Sequence, residues 1–192
     1  MGKITPSKAP AVIGLQERKE FQETWDFIKN KKSEPQKCIR NFDRGIAFEA
    51  EGAEVFASES GAVLKERGLF CMKTDGNYGA SPDKTFQGET CKKLFEIKTG
   101  KEVKLSGLCL LEIKTQAEGN LKPLTSGAHI AQVQLQEECA EANTCILQSY
   151  VPECKKSSYF LIQKNDCFLA YSRSSVMLFS TMNKSSVYLA KI

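Results

Sequence analysis

The chain has 192 residues, which is enough for one domain with its own hydrophobic core and marginal for two. Hydrophobic residues make up 41% of it and charged residues 26%, close to globular averages, so the composition excludes a disordered or fibrous chain. A net charge of +4 is too small to indicate nucleic-acid binding by itself. The sequence has no long apolar run and no apolar stretch of a secretory signal, so we expect a soluble intracellular protein, nuclear or cytoplasmic.

The first part of the chain is predicted to be helical after a short arm. Residues 1–14 contain two prolines and little pattern, and we expect a flexible N-terminal arm there, followed by a single domain over 15–192. From residue 15 to 32, apolar residues recur at a near-helical spacing, which predicts a first helix. A second helix is predicted from 41 to about 60, ending at Gly61.

The centre of the chain changes to short β-type runs separated by glycine-containing turns. The predicted strands are 70–72, 94–97, 103–105 and 108–113. Because they follow one another closely, we expect a meander. A helix from Ala128 to about Asn143 and strands at 144–151 and 159–161 follow, whereas 167–192 has no clear pattern.

The eight cysteines are scattered through the chain, and no two are spaced as CxxC. His129 is the only histidine. This pattern argues against a zinc finger or ribbon and leaves only a cysteine site assembled in three dimensions. Without a secretory signal, the cysteines are expected to be reduced, buried and apolar in character.

Asp83, Glu112 and Lys114 form a pattern suited to phosphodiester hydrolysis. That reaction needs converging carboxylates for divalent cations and a lysine that orients water and offsets charge on the phosphate. Glu112 and Lys114 are two apart on a predicted strand and so project from one face, with the Ile113 carbonyl as a further oxygen donor. Asp83 ends the preceding turn. Alone, such a tripeptide is more readily explained as a solvent-exposed ion pair.

Four motifs in one order distinguish the chain from chance occurrences of that tripeptide. They are Gly45-Ile46-Ala47-Phe48-Glu49, Gly79-Ala80-Ser81-Pro82-Asp83, Leu111-Glu112-Ile113-Lys114 and His129-Ile130-Ala131-Gln132-Val133-Gln134. In this order they resemble the helix glutamate, Ser-Pro-Asp, Glu-x-Lys and Gln-x-Gln motifs of the lambda-exonuclease-type (YqaJ-like) viral recombinase nucleases. These belong to the PD-(D/E)xK superfamily. The resemblance implies an α/β restriction-endonuclease-like core, a mixed central sheet flanked by helices.

The resemblance also implies roles for individual residues. The implied ligands of Mg²⁺, or of Mn²⁺, are Glu49, Asp83, Glu112 and the carbonyl of Ile113. Asp83, Glu112, Lys114 and Gln132 would form the catalytic group, with Lys114 positioning the attacking water and Gln132 bonding near the metal or phosphate. Ser81 and His129 would contact DNA. The chain departs from the family at Lys84, where a glycine is usual.

The tetrapeptide Glu-Ile-Lys-Thr occurs twice, at 96–99 and at 112–115. We assign the catalytic role to Glu112, because 109–113 has the continuous apolar character of a buried central strand. The number of residues between Lys114 and Gln132 is also more similar to the family's spacing than the number between Lys98 and Gln132. Glu96 is then expected on one arm of an inserted hairpin.

The function implied is Mg²⁺-dependent hydrolysis of DNA, in an exonuclease acting on linear duplex with a free end. Ring-shaped assembly of identical chains and a separate single-strand-annealing protein follow from the resemblance only. Basic residues before Glu49, including Arg40 and Arg44, are candidates for the DNA backbone. An endonuclease on RNA or branched DNA, or a catalytically silent nucleic-acid-binding protein of this fold, remain the alternatives.

Overall fold

A computed structural model describes residues 5–28, 36–72, 79–91, 94–96, 100, 102–103, 105–116 and 126–184. The helices are α1 (Ala9–Val12), α2 (Arg18–Ile28), α3 (Gln36–Ser60), α4 (Gly127–Ala140) and α5 (Asp166–Lys184). The strands are β1 (Phe70–Cys71), β2 (Gly79–Ala80), β3 (Lys84–Gln87), β4 (Leu108–Thr115), β5 (Thr144–Val151) and β6 (Lys156–Gln163).

The main sheet has four strands in the order β3-β4-β5-β6. The β3–β4 and β5–β6 pairs are antiparallel, whereas β4 and β5 are parallel. This confirms the expected mixed sheet flanked by helices. The expected meander over residues 70–113 is wrong, because β1 pairs with β2 in a separate two-stranded sheet and residues 94–96 form a helical turn. The parallel pair of β4 and β5 needs a crossover connection, which α4 supplies.

The two faces of β4 have different partners, since successive side chains of a strand point to opposite sides. Leu111 and Ile113 pack with Phe56 of α3 in one cluster. Leu110 packs with Val133 of α4 in another. Glu112 and Lys114 alternate with the α3-facing residues and therefore lie on the α4 side. All eight residues of β5 are buried, as expected of a central strand covered on both faces.

Helix α3 comes unusually close to the sheet at Gly52. A Cβ atom there would lie 3.1 Å from Cγ2 of Ile113 and 3.2 Å from Cδ1 of Tyr150. The side chain of Gln148 donates a hydrogen bond of 2.9 Å to the carbonyl oxygen of Gly52. The missing side chain thus lets α3 lie against β4 and β5, which fixes Glu49, one turn earlier on the helix, near the sheet.

Several predicted elements agree with the structure. The second predicted helix corresponds to α3. The helix ends before Gly61, whose φ of 71° is positive, as is common for a glycine at a helix end. The helix predicted at 128–143 corresponds to α4, and the strands predicted at 108–113 and 144–151 correspond to β4 and β5. The segment after residue 167, which has no clear pattern, lies largely in α5.

The N-terminal arm is packed rather than flexible where the structure describes it. Ala9, Val12 and Ile13 are buried in a cluster with residues of α4 and α5. The hydroxyl of Tyr171 donates a 3.0 Å hydrogen bond to the carbonyl of Ile13. The prolines are compatible with this, because Pro10 lies in the first turn of α1. Assignment of 15–192 to one domain stays a prediction.

Two of the predicted strands are wrong. Residues 94–96 form a helical turn, and Val103 and Leu105 lie outside any strand. Phe95, Val103 and Leu105 are nevertheless buried in the cluster beneath α3. Their apolar character reflects burial, and short apolar runs do not separate strands from buried turns. The hairpin expected around Glu96 is therefore not formed at 94–96, and Ile97 and Lys98 lie outside the described residues.

The cysteines only partly match the expectation. No disulfide joins the cysteines within the described ranges, and Cys91, Cys109, Cys139 and Cys145 are buried. Burial raises the pKa of Cys109 to about 12, so this thiol stays protonated. The expectation of burial is wrong for three others, Cys71, Cys154 and Cys167, which are exposed. In the part of the chain that the structure covers, no helix is long and apolar enough to span a membrane.

Candidate active site

The Ser-Pro-Asp turn and the Glu-x-Lys strand meet where β3 pairs with β4. Lys84 pairs with Leu111, so one further step of the antiparallel register brings Asp83 beside Glu112. The carboxylate of Asp83 accepts a hydrogen bond of 2.6 Å from the backbone N–H of Ile113. The structure therefore brings together Asp83, Glu112 and Ile113. It shows the N–H of Ile113 bonded to a site carboxylate, and ligation by its carbonyl stays a prediction.

Glu112 is a buried carboxylate with a full set of donors. Its side chain accepts bonds at Oε1 from Nζ of Lys114 at 2.5 Å and from Nε2 of Gln132 at 2.6 Å. Its Oε2 accepts a bond from Nε2 of Gln136, also at 2.6 Å. Only 2% of Glu112 is exposed. Such burial is tolerated because three donors replace the lost hydration.

Two glutamines of α4 hold the Glu112 carboxylate from one side. Gln132 and Gln136 are four residues apart and so lie one above the other on the helix face that meets β4. Gln136 was not singled out by sequence reasoning; its spacing from Gln132 is the one signal that could have found it. Its Oε1 is buried and accepts no hydrogen bond from any described residue.

Gln134, the second glutamine of the Gln-x-Gln motif, points elsewhere. Its Nε2 donates to Oε2 of Glu137 and to the carbonyl of Gln163, each at 2.8 Å. Its Oε1 accepts a 2.7 Å bond from the N–H of Asn165. Gln134 therefore joins α4 to the turn between β6 and α5, a structural role outside the site.

The pKa of the Asp83 carboxyl group is raised by its surroundings. Burial, the charge of Glu112 and that of Glu49 together raise the pKa of Asp83 to about 8, against the bond from Ile113 and the charge of Lys114. Burial is the largest cause, and the negative charges of Glu112 and Glu49 add to it because both carboxylates lie near Asp83. A cation among them would relieve the repulsion between these negative charges.

Glu49 reaches the site from α3 and is paired with a lysine. The Nζ atom of Lys84 lies 3.2 Å from Oε1 of Glu49 and 3.1 Å from Oε1 of Glu66. Burial lowers the pKa of Lys84, but hydrogen bonds and charges from Glu66 and Glu49 outweigh it and leave the pKa raised. Lys84 thus stays charged. Sequence reasoning noted Lys84 only as a departure from the family.

The remaining predicted residues differ in how far the structure describes them. His129 is half-buried, and burial and the charge of Lys114 lower its pKa against the opposing charge of Glu112, so its imidazole is neutral and near the site. Ser81, two residues before Asp83 in the chain, is exposed. Arg40 and Arg44 belong to α3, but their side chains lie outside the described residues.

The donor chemistry of the site fits a divalent cation, although its present arrangement is not a preformed centre. Within the described ranges, no three His, Cys, Asp or Glu side chains are grouped as a metal centre. The carboxylates are instead bonded to Lys84, Lys114, two glutamine amides and one backbone N–H. Clustered carboxylates are hard oxygen ligands, the type that Mg²⁺ and Mn²⁺ prefer.

The fold is shared with solved exonuclease structures. An alkaline exonuclease (LHK-Exo) from Laribacter hongkongensis has a TM-score of 0.71 at 20% identity, covering 96% of this chain and 89% of that one. Its complex with dAMP gives the same TM-score and coverage at 21% identity. A phage-related exonuclease from Haemophilus somnus 129PT gives 0.60 at 11% identity, covering 94% and 96%. These similarities define the class of fold as restriction-endonuclease-like.

The sequence comparison gives the family. Residues 1–143 match the YqaJ-like viral recombinase domain, and the chain belongs to that family. The matched segment contains all the predicted site residues, from Arg40 to Gln132. A comparison with curated protein sequences gave no significant match.

Proposed function

We propose that the protein is a divalent-cation-dependent deoxyribonuclease that degrades linear duplex DNA from an end. Family membership and the fold shared with exonucleases both support a nuclease. The observation that carries the proposal is the meeting of Asp83, Glu112 and Lys114 at one end of β4, with Gln132 bonded to the same carboxylate. A protein that only bound nucleic acid would have no need for a buried, crowded carboxylate group.

The residues that would hold Mg²⁺ or Mn²⁺ are Glu49, Asp83 and Glu112, with the Ile113 carbonyl as a fourth oxygen. When bound, such an ion would supply Lewis acidity to the scissile phosphate and would lower the pKa of a water molecule for attack. Binding it requires the carboxylates to release part of their present hydrogen bonds. Gln132 and Gln136 can keep Glu112 oriented during that exchange, since they approach it from α4.

Lys114 is the residue best placed to act on water and phosphate. Its ammonium group bonds to Glu112, and 27% of its side chain is exposed, so it is both anchored in the site and open to a substrate. A positive charge at this point orients the attacking water and offsets charge that develops on the phosphate. Because the group is held before substrate arrives, little reorganisation is needed during reaction.

Contact with the DNA backbone is proposed for Arg40, Arg44, Ser81 and His129. A neutral, half-buried His129 would donate or accept a hydrogen bond rather than form an ion pair. Reversing the charge of Arg40 and Arg44 should weaken DNA binding and reduce the slope of log affinity against log salt, by roughly 0.9 per lost phosphate contact. An unchanged slope would remove these two residues from the interface.

Attack from a DNA end is supported by the shared fold of an alkaline exonuclease, LHK-Exo, and a phage-related exonuclease. LHK-Exo was solved with dAMP, a nucleoside monophosphate, which is the kind of product that exonucleolytic cleavage releases. We extend the proposal to a ring of identical chains and a separate annealing protein, and sedimentation of the full chain with and without DNA would test the ring.

The test of the proposed function compares end-labelled linear duplex with closed circular duplex, each with Mg²⁺, with Mn²⁺ and with a chelator. We expect degradation of linear DNA alone, and none with the chelator. Cleavage of the circle, or cuts at internal positions of RNA or branched DNA, would instead assign an endonuclease. Binding without cleavage of any of these would assign a silent binding protein.

A further inference from the structure

We propose that Lys84 is a built-in competitor of the divalent cation for the carboxylate of Glu49. The inference rests on the proposed function, because it concerns how the same site takes up its ion. Lys84 would hold Glu49 while no ion is bound and would give it up when an ion arrives. Metal uptake would thus be an exchange of one cation for another.

The position of Lys84 follows from its pairing in the sheet. Lys84 begins β3 and pairs with Leu111, and directly paired residues share a face of the sheet. Leu111 packs with Phe56 of α3, so the lysine also points toward α3, the helix that carries Glu49. Asp83, one residue earlier, takes the other side with Glu112. The chain therefore delivers a carboxylate and an ammonium group to one site from adjacent residues.

Two acceptors hold the ammonium group of Lys84. Its Nζ lies 3.2 Å from Oε1 of Glu49 and 3.1 Å from Oε1 of Glu66. The ammonium group therefore bonds to two carboxylates at once. The Lys84 side chain is only 14% exposed and that of Glu49 32%, whereas that of Glu66 is 85% exposed. Glu66 can therefore keep the lysine after Glu49 has turned to an ion.

This exchange should weaken the affinity of the site for a divalent cation. An ammonium group in contact with Glu49 must be displaced, and its charge then repels the incoming cation. A partly exposed ion pair of this kind corresponds to roughly a fivefold change in an equilibrium constant. Replacing Lys84 by an uncharged residue of similar length should therefore tighten metal binding by about that factor or more.

The experiment is calorimetric titration of the full chain with Mn²⁺, without DNA, on wild type and Lys84→Met. The matched control is Lys155→Met, because Nζ of Lys155 lies 3.3 Å from Oε1 of Glu51, two residues beyond Glu49 on the same helix. Both substitutions remove one positive charge next to a glutamate of α3. We expect tighter Mn²⁺ binding for Lys84→Met only. Lys84→Gln replaces Lys84→Met if thermal unfolding shows that the latter is not folded.

The gain must also depend on Glu49. In a Glu49→Gln background, the substitution of Lys84 should no longer tighten Mn²⁺ binding. Unchanged or weaker binding in Lys84→Met, an equal gain in the control, or a gain that survives Glu49→Gln would each overturn the inference and leave the proposed function intact. Absence of Mn²⁺ binding in wild type and variant alike would overturn the metal dependence of the proposed function as well.

Discussion

Replacing Gln136 by methionine should lower the catalytic rate while leaving the free energy of unfolding nearly unchanged. The substitution keeps the length and approximate volume of the side chain and removes the hydrogen bond to Oε2 of Glu112. A hydrogen bond to a charged group contributes about 1.5–3 kcal/mol. If the bond serves to orient Glu112 for reaction, losing it should lower kcat by about tenfold to a hundredfold.

Stability should respond much less than activity. The buried Oε1 of Gln136 accepts no hydrogen bond from the described residues, and such a group costs about 1–3 kcal/mol. Methionine removes that cost at the same time as it removes the bond to Glu112. The two effects are of similar size and opposite sign, so we expect the free energy of unfolding to change by less than about 2 kcal/mol.

Gln134→Met is the matched control, since Gln134 lies on the same helix and is equally buried. It loses hydrogen bonds to Glu137, Gln163 and Asn165, all away from Glu112. It should lose several kcal/mol of stability and retain the wild-type kcat once folded. The assay is single-turnover cleavage of labelled duplex together with urea unfolding. If Gln136→Met cleaves at the wild-type rate, the orienting role assigned to Gln136 is wrong.

Three further predictions concern Gly88, which follows β3, the buried Glu137, and Lys114 of the active site. A Cβ at Gly88 would lie 2.8 Å from the backbone nitrogen of Ser106, so Gly88→Ala should lower the unfolding free energy by about 1–3 kcal/mol, whereas Gly68→Ala, with open space around it, should not. An equal effect of both on urea unfolding would contradict this. Burial raises the pKa of Glu137 from 4.5 to about 8, so wild type should lose stability as pH rises from 4.5 to 8, and Glu137→Gln should lose less. Urea midpoints with the same pH slope would refute it. Lys114→Ala should lower kcat by about 10²–10³ without unfolding the chain, and a smaller loss would remove its role at the phosphate.

The core of the site could be predicted because it depends on local pattern. The strand period alone places Glu112 and Lys114 on one face, and the turn before Asp83 leads into the neighbouring strand. Both relations follow from a few consecutive residues. The family resemblance added Gln132, whose contact with Glu112 joins the crossover helix α4 to β4 and has no local signal.

Other features depend on contacts between distant segments and could not be read from the sequence. Lys84 bonds to Glu49, 35 residues earlier, and to Glu66. Gln136 acquires its role only because α4 crosses β4 at that turn. The same holds for the wrong strands at 94–97 and 103–105, where burial under α3 produces apolar runs without strand pairing.

The most direct test of the central claim is release of mononucleotides from linear duplex DNA with Mg²⁺ by wild type, Glu112→Ala and Glu96→Ala. Glu112 lies on β4 among Asp83, Lys114 and Gln132, whereas Glu96 lies on a helical turn. The account predicts that Glu112→Ala is inactive, although folded, and that Glu96→Ala releases nucleotides at the wild-type rate. An active Glu112→Ala enzyme, or an inactive Glu96→Ala enzyme that is still folded, would contradict it.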